Sequence, residues 1–425
     1  MYLSHSSPGL EEIMRGDLSF KGTTASHVGH NTHAFAAKFP PQLPHAFISQ
    51  LTEPGEKVLD PMAGSGTALL EAARLGRQGI GVDIDPLAVR IGAAKTTRLD
   101  EHVARAMAES IVDYARLMVA SREGDYAADV LNSYDPATRR FVEYWFLPEI
   151  IGQLGALTAG VRRFTQGQYR TFFEMLLSSI VITKSGGVTQ ARDLAHTRPH
   201  KVSGKRTKNA IDVFVEKAAK GISSLTEIAS FSGSVEIMRG DSRALPLADS
   251  TVQLIVTSPP YANAIDYVRA HKFSLVWFGD RIDKLSTLRS HYIGAEKKSS
   301  GGRRIHSQTA EATMRQIGKS DGRRAAIVKR YFEEMTACLS EMYRVLQPAR
   351  SAIVVVGPST MRGVVVDTAL ILAEVGEAVG FRLVGVKERD IDRDRRLMPI
   401  SRNSTQTGIE ARMHSEQVIA FSKPV

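Results

Sequence analysis

Seven short apolar runs recur along the chain, and between several of them the apolar positions open out to every third or fourth residue. The runs are Lys57 to Asp60, Gly79 to Asp83, Val235 to Arg239, Val252 to Thr257, Ser351 to Val356, Phe381 to Val386 and Glu416 to Phe421. Short, nearly continuous apolar character predicts strands covered on both faces, as in a parallel sheet. Phe332, Met335, Leu339, Met342 and Leu346 share one helical face, in a segment that Pro348 closes. Because strand and helix alternate, the pattern predicts a doubly wound α/β fold.

The alternation fails from about Asp100 to Ser234. Val103, Met107, Ile111, Tyr114 and Met118 make one helical stripe, and Ile211, Phe214, Ala218, Ile222 and Leu225 make another. Phe141 to Leu157 and Tyr169 to Ile182 also read as helical. A helical insertion, residues 101–233, is therefore expected between the second and third strands, leaving 36–100 and 234–425 for the sheet domain. Residues 1–35, rich in Ser, Gly, Thr and His, are expected to form an arm on which His30 and His33 face solvent. Lys184 to Lys220 is strongly basic. So is Lys297 to Arg330, which contains Ser-Ser-Gly-Gly at Ser299 to Gly302 and is expected to be a long exposed loop.

Composition narrows the partner. Fifty-five Lys and Arg against 45 Asp and Glu leave a formal charge of +10, so the summed field favours polyanions and nucleic acid leads. One cysteine, Cys338, excludes an internal disulfide; it lies on a predicted amphipathic helix, where core packing explains it. No Cys/His spacing suits zinc, so no metal is expected. With no run of 18 apolar residues and no basic head before an apolar stretch, a cytoplasmic protein without membrane spans is expected.

Two segments carry candidate chemistry. The first strand runs into Pro61-Met62-Ala63-Gly64-Ser65-Gly66-Thr67 and then a helix, a turn that lets backbone approach a ligand closely. The second strand ends in Gly81-Val82-Asp83-Ile84-Asp85-Pro86, placing the Asp83 carboxylate where it can hold a ribose diol. Asp85 is expected only to start the helix at Pro86. The fourth strand is followed at once by Ser258-Pro259-Pro260-Tyr261. Ligands of a doubly wound sheet gather outside the carboxyl ends of its strands, so both segments should open onto one crevice.

Asp60-Pro-Met-Ala-Gly-Ser-Gly-Thr resembles motif I of the S-adenosylmethionine-dependent methyltransferases that modify exocyclic amino groups in DNA. GVDIDP is similar to their motif II, Gly240-Asp241-Ser242 to motif III, and Ala37 to Pro44 to motif X. Ser258 to Tyr261 resembles motif IV, in the Ser-first form most typical of cytosine-N4 enzymes. The resemblance implies a class I, Rossmann-like methyltransferase with a seven-stranded sheet and a helical insertion. It implies S-adenosylmethionine held by Lys38, Phe39, Pro40, Asp60, Pro61, Ala63, Gly64, Ser65, Gly66, Thr67, Asp83, Ile84, Asp241 and Ser242, with Asp241 accepting from the adenine amino group. Ser258, Pro259, Pro260 and Tyr261 would then act on a base turned out of double-stranded DNA.

An aromatic amine is a poor nucleophile because its lone pair is delocalised into the ring. A rigid Pro-Pro backbone carbonyl and the Ser258 hydroxyl can draw it toward tetrahedral geometry, while Tyr261 stacks on the base. Cytosine N4 is favoured over adenine N6. An RNA guanine-N2 methyltransferase and a catalytically silent nucleic-acid-binding protein are the competing readings. Arg198, Lys201, Lys205, Arg206, Lys208, Arg303 and Arg304 are candidate phosphate contacts, and Asn263 and Arg269 candidate neighbours of the base or backbone. One feature departs from the family pattern: the insertion, a candidate DNA-recognition region, lies where the family does not usually place one. No fused nuclease signature is present, which implies a stand-alone modification enzyme, with a separate restriction endonuclease as a candidate partner.

Overall fold

The computed structural model describes residues 8–23, 28–121, 125–183, 187–197, 199–262, 266–295, 304–392 and 413–425. The expected strands form one sheet, here β1 (Lys57–Asp60), β2 (Gln78–Asp83), β3 (Ser234–Arg239), β4 (Val252–Thr257), β5 (Leu346–Val356), β6 (Arg382–Asp390) and β7 (Ser415–Ser422). Their order is β6-β7-β5-β4-β1-β2-β3. β7 runs antiparallel to both neighbours, and the other pairs are parallel. The chain moves outward from β1 through β2 to β3, then returns to the other side of β1 as β4. Sheet order thus reverses between β1 and β4, whose carboxyl ends lie side by side in the register Val58 to Leu254 and Leu59 to Ile255.

The side chains of the central strands alternate between two helical layers, as a period of two requires. On one face Leu59, Ile255, Ala352 and Val354 pack with Phe332, Met335, Leu339 and Met342 of the helix Gly322–Val345. On the other, Val58, Leu254, Val256, Ile353 and Val355 pack with Leu10, Ile13, Leu43, Phe47 and Ala68. Leu10 and Ile13 belong to a helix, Pro8–Arg15, in the stretch expected to be an arm; composition concealed two apolar side chains one helical turn apart. β5 begins at Leu346, so Pro348 lies in the first turns of a strand and not just beyond a helix.

Lys297 to Arg330 is also corrected. From Ser307 onward it is helical, with Gln308–Gly318 capped by Ser307 and Gly322–Val345 capped by Asp321. Ala310, Thr313, Ile317, Ile327 and Val328 are buried while Arg323 and Lys329 stay exposed. The charges ride the outer faces of amphipathic helices, so a charge count alone could not separate this arrangement from a loop.

The insertion is helical, with the stretch expected over Phe141 to Leu157 divided into Pro136–Trp145 and Pro148–Phe164, because Pro148 starts a second helix. Its core is not separate. Phe146, Leu154, Phe172, Phe173 and Phe214 form one cluster with Leu87 and Ile91 after β2 and with Val268, Phe273 and Trp277 after Tyr261. Among the described residues no helix is long and apolar enough to cross a membrane.

One hydrogen bond closes the point where the sheet order reverses: Thr257 Oγ1, at the end of β4, donates to Asp60 Oδ1, at the end of β1, at 2.7 Å. Burial raises the Asp60 carboxyl to about 7, against the opposing bonds from Thr257 and the Met62 N–H. A carboxyl raised above its ordinary 3.8 stabilises the fold fully below that value, and the contribution is lost as pH rises through about 7. Asp60→Asn keeps an acceptor for Thr257 and removes the buried charge. Thermal melts of the ligand-free protein are expected to place this variant above wild type at pH 8, by a margin that shrinks as the pH is lowered. A margin that is absent or reversed at pH 8 would contradict the assignment.

Candidate active site

A cleft of about 870 Å³, counting its open mouth, lies at the carboxyl ends of β1 to β4. Lys38, Phe39, Asp60, Pro61, Ala63, Gly64, Ser65, Thr67, Asp83, Ile84, Asp241 and Ser242 line it, together with Ser258 and Pro260. Five sequence segments, far apart along the chain, therefore meet at one wall-to-wall site. Pro40, Gly66, Pro259 and Tyr261 are not among its lining residues. Gly66 takes φ 77 and faces away from the cleft, where a Cβ would stand 3.1 Å from the Cα of Gly92. Pro259 and Tyr261 are buried, and the Tyr261 hydroxyl donates to Glu416 at 2.6 Å, so the ring expected to stack on a base is not part of the cleft lining.

The glycine turn is held by the second acidic segment. Asp83 accepts from Gly64 N at 2.7 Å and from Asp85 N at 2.8 Å. Burial, and after it the charge of Asp85, raises the Asp83 carboxyl to about 6. Each oxygen spends one lone pair on backbone and keeps capacity for a hydroxyl. Asp85 caps the helix Pro86–Thr96 through Leu87 N and Ala88 N, as expected, and also meets His271 Nδ1 at 2.5 Å. Burial alone would raise Asp85, but the charge and hydrogen bond of His271 outweigh it and hold the carboxyl below its ordinary range.

The acid of the third segment is engaged more heavily than expected. Arg243 grips Asp241 through Nε at 2.8 Å and Nη2 at 2.7 Å, with its own N–H adding a bond at 2.9 Å. These bonds overcome the effect of burial and keep Asp241 below its ordinary range. Arg243 also reaches Glu334 and the His291 carbonyl. Asp241 is thus a fixed anion on the cleft wall.

Opposite, Lys38 Nζ donates to the His30 carbonyl at 2.6 Å. Phe35 stacks on Tyr267 with centroids 5.3 Å apart, and both line the cleft. Neither was anticipated, nor were His291, which ends the short 3-10 helix Arg289–His291, and Tyr292 and Ile293 just beyond it, a stretch with no local pattern. His30 and His33, expected in solvent, are each 2% exposed. His30 Nε2 meets Glu71 Oε1 at 2.8 Å, and His33 Nε2 meets Ser178 Oγ at 2.8 Å, which ties the segment before Lys38 to the insertion. Glu71 also meets His45 and Arg74, and these partners outweigh its burial to bring its carboxyl down to about 2.

The candidate DNA contacts divide. Lys201, Arg206, Lys208, Arg269 and Arg304 are exposed. Lys201 Nζ stands 4.2 Å from the ring centre of Tyr144, and Arg269 pairs with Asp266. Lys205 is a correction, because its ammonium donates to the Thr189 and Ala191 carbonyls at 2.8 and 2.6 Å and braces a loop. Arg198, Asn263 and Arg303 lie outside the described residues.

The cleft suits an adenosyl sulfonium ligand. Ser65 Oγ is buried with no hydrogen-bond partner among the described residues, Gly64 adopts a left-handed φ of 50 and lines the cleft with its backbone, and Asp83 and Asp241 place carboxylates at two separate points. A DNA methylase family model matches residues 18–94, which span the first two strands, the glycine turn and Asp83. The Type II methyltransferase M.MvaI of Kocuria varians is 24% identical over 382 residues, 84% of this chain and 83% of that protein. The Type II methyltransferase M.BsoBI of Geobacillus stearothermophilus is 21% identical over 412 residues, covering 84% and 79%. A third, M.MjaII of Methanocaldococcus jannaschii, is 34% identical over 84 residues, 20% of this chain and 16% of that protein. The sheet order, the cleft and these relatives together support the S-adenosylmethionine-dependent DNA amino-methyltransferase family.

Proposed function

We propose that the chain is a Type II DNA methyltransferase acting on the exocyclic amino group of a base turned out of the duplex, with cytosine N4 as the target. One observation carries the reading: Ser258 and Pro260 share a cleft with the glycine turn and Asp83. When bound, S-adenosylmethionine supplies an electrophilic sulfonium methyl. Asp83 would hold the ribose diol, Asp241 the adenine amino group, and Ser65 with the glycine turn the remainder. Ser258 and the Pro259 carbonyl accept hydrogen bonds from the target amine, drawing its lone pair out of ring conjugation and into line with the methyl. Tyr261, buried and bonded to Glu416, holds the turn that carries Ser258 and Pro260. Ser258 in first position supports cytosine N4 over adenine N6. Target recognition is assigned to residues 101–233, where the ribbon of Ala191–Arg192 and His200–Lys201 stands near Arg206 and Lys208 in sequence.

Incubation with radiolabelled methyl donor and duplex DNA, followed by nucleoside analysis, should yield N4-methylcytosine and no labelled RNA. N6-methyladenine would replace the assigned base, and label in RNA alone would end the DNA reading. Asp83→Ala should weaken cofactor binding at least tenfold by calorimetry, whereas Pro260→Ala should lower kcat by about a hundredfold with cofactor affinity nearly intact. Wild-type turnover in Pro260→Ala would remove the tetrapeptide from catalysis. Reversing charge at Arg206 and Lys208 should weaken DNA binding and reduce the log–log salt slope by about 2, since each duplex phosphate contact contributes roughly 0.9. An unchanged slope would place this segment off the DNA.

A further inference from the structure

Tyr261 is set at the end of β4, yet its hydroxyl is held from the opposite end of the sequence. It donates to Glu416 Oε1, on β7, at 2.6 Å. The other carboxylate oxygen, Oε2, accepts from Arg389 Nη1 on β6, and Arg389 Nε donates to the Leu18 carbonyl at 2.9 Å. Arg389 is 4% exposed, and β6 and β7 pair Arg389 directly with Glu416. The ring itself is wedged against Ile391 and Met413. A Cβ added to Gly357 would come within 2.7 Å of Tyr261 Cε2, so glycine leaves the ring its place.

A tyrosine that merely filled a core would not need a buried ion pair at its tip. Burying Arg389 and Glu416 costs desolvation, and removing either leaves the other charge uncompensated, so a plain apolar contact would be the more stable solution. What the arrangement provides is direction. The phenol has two rotatable side-chain bonds; its oxygen lies on the axis of the second, so the charge-assisted hydrogen bond at its far end fixes the first while the walls around the ring fix the second. We propose that Glu416, anchored by Arg389, is a positioning residue for the methyl-transfer step, holding Tyr261, and through it the adjoining turn of Ser258 and Pro260, in place at the cleft. This rests on the assignment of Ser258 to Tyr261 as the catalytic tetrapeptide. The pair lies on the antiparallel hairpin that closes the sheet, so the hairpin serves the site as well as the core.

The test is a double-mutant cycle read by single-turnover kinetics on duplex DNA carrying the target site. Tyr261→Phe, Glu416→Gln and their combination are compared with wild type for transfer rate, DNA affinity, cofactor affinity and melting temperature. Tyr261→Phe deletes one oxygen and keeps the ring, so it guards against a Glu416 variant that simply fails to fold. Each single variant should slow transfer about tenfold, the rate equivalent of one lost charge-assisted hydrogen bond, with both affinities within about twofold of wild type. The double variant should be no slower than the slower single one. Wild-type transfer in Tyr261→Phe, or a double variant slowed by the product of the two effects, would overturn the proposal. Absence of transfer by the wild-type protein would instead overturn the underlying function.

Discussion

The cleft depends on a hydrogen bond between two strand ends. Thr257 and Asp60 close the gap between β4 and β1 where the sheet order reverses, and everything after each of them is fixed relative to that contact. The glycine turn leaves Asp60 on one side and the Ser-Pro-Pro-Tyr segment leaves Thr257 on the other. Parallel pairing of β1 with β4 means both turns emerge from the same edge, as the general rule for ligand sites of open α/β sheets requires. An antiparallel or displaced β4 would send the tetrapeptide to the far edge, and no amount of side-chain adjustment would restore the cleft.

Around that contact, each remaining part of the protein supports one wall. Helix capping by Asp85 and its bond to His271 join the end of β2 to the helix that follows the tetrapeptide. Phe273 of that helix is packed among Phe141, Trp145 and Phe146, with ring centroids 5.0 to 6.3 Å apart. The insertion therefore packs against the helix that follows the Ser-Pro-Pro-Tyr segment. His33, Ser178 and Ser274 extend the same bracing to the segment that carries Lys38.

Much of this was legible in the chain. Strand positions were, because fully buried parallel strands leave continuous apolar runs such as Leu254 to Val256 and Ile353 to Val356, each with side chains fully excluded from solvent. The lining residues of the glycine turn were too, because special backbone geometry demands glycine at Gly64 and Gly66. Long-range pairings were not. Nothing near His30 in sequence announces Glu71, and nothing near Tyr261 announces Glu416, since such contacts depend on sheet order and register and not on local spacing. Asp241 was located correctly as an acid at the cleft, but its grip by Arg243 two residues on has no periodic signature. Helical basic faces, as in Arg323 to Arg330, were mistaken for loop because charge dominates composition even when Ile327 and Val328 point inward.

The claim that the two turns share one working gap is tested most directly by a crystal structure of the protein with S-adenosylhomocysteine and a duplex containing the target site. The account predicts the cofactor sulfur in the cleft beside Asp83 and Asp241, with a single everted base between it and the turn of Ser258 and Pro260, its amino nitrogen facing the sulfur. A cofactor bound on another edge of the sheet, or a base left stacked in the helix while the complex is catalytically competent, would contradict it.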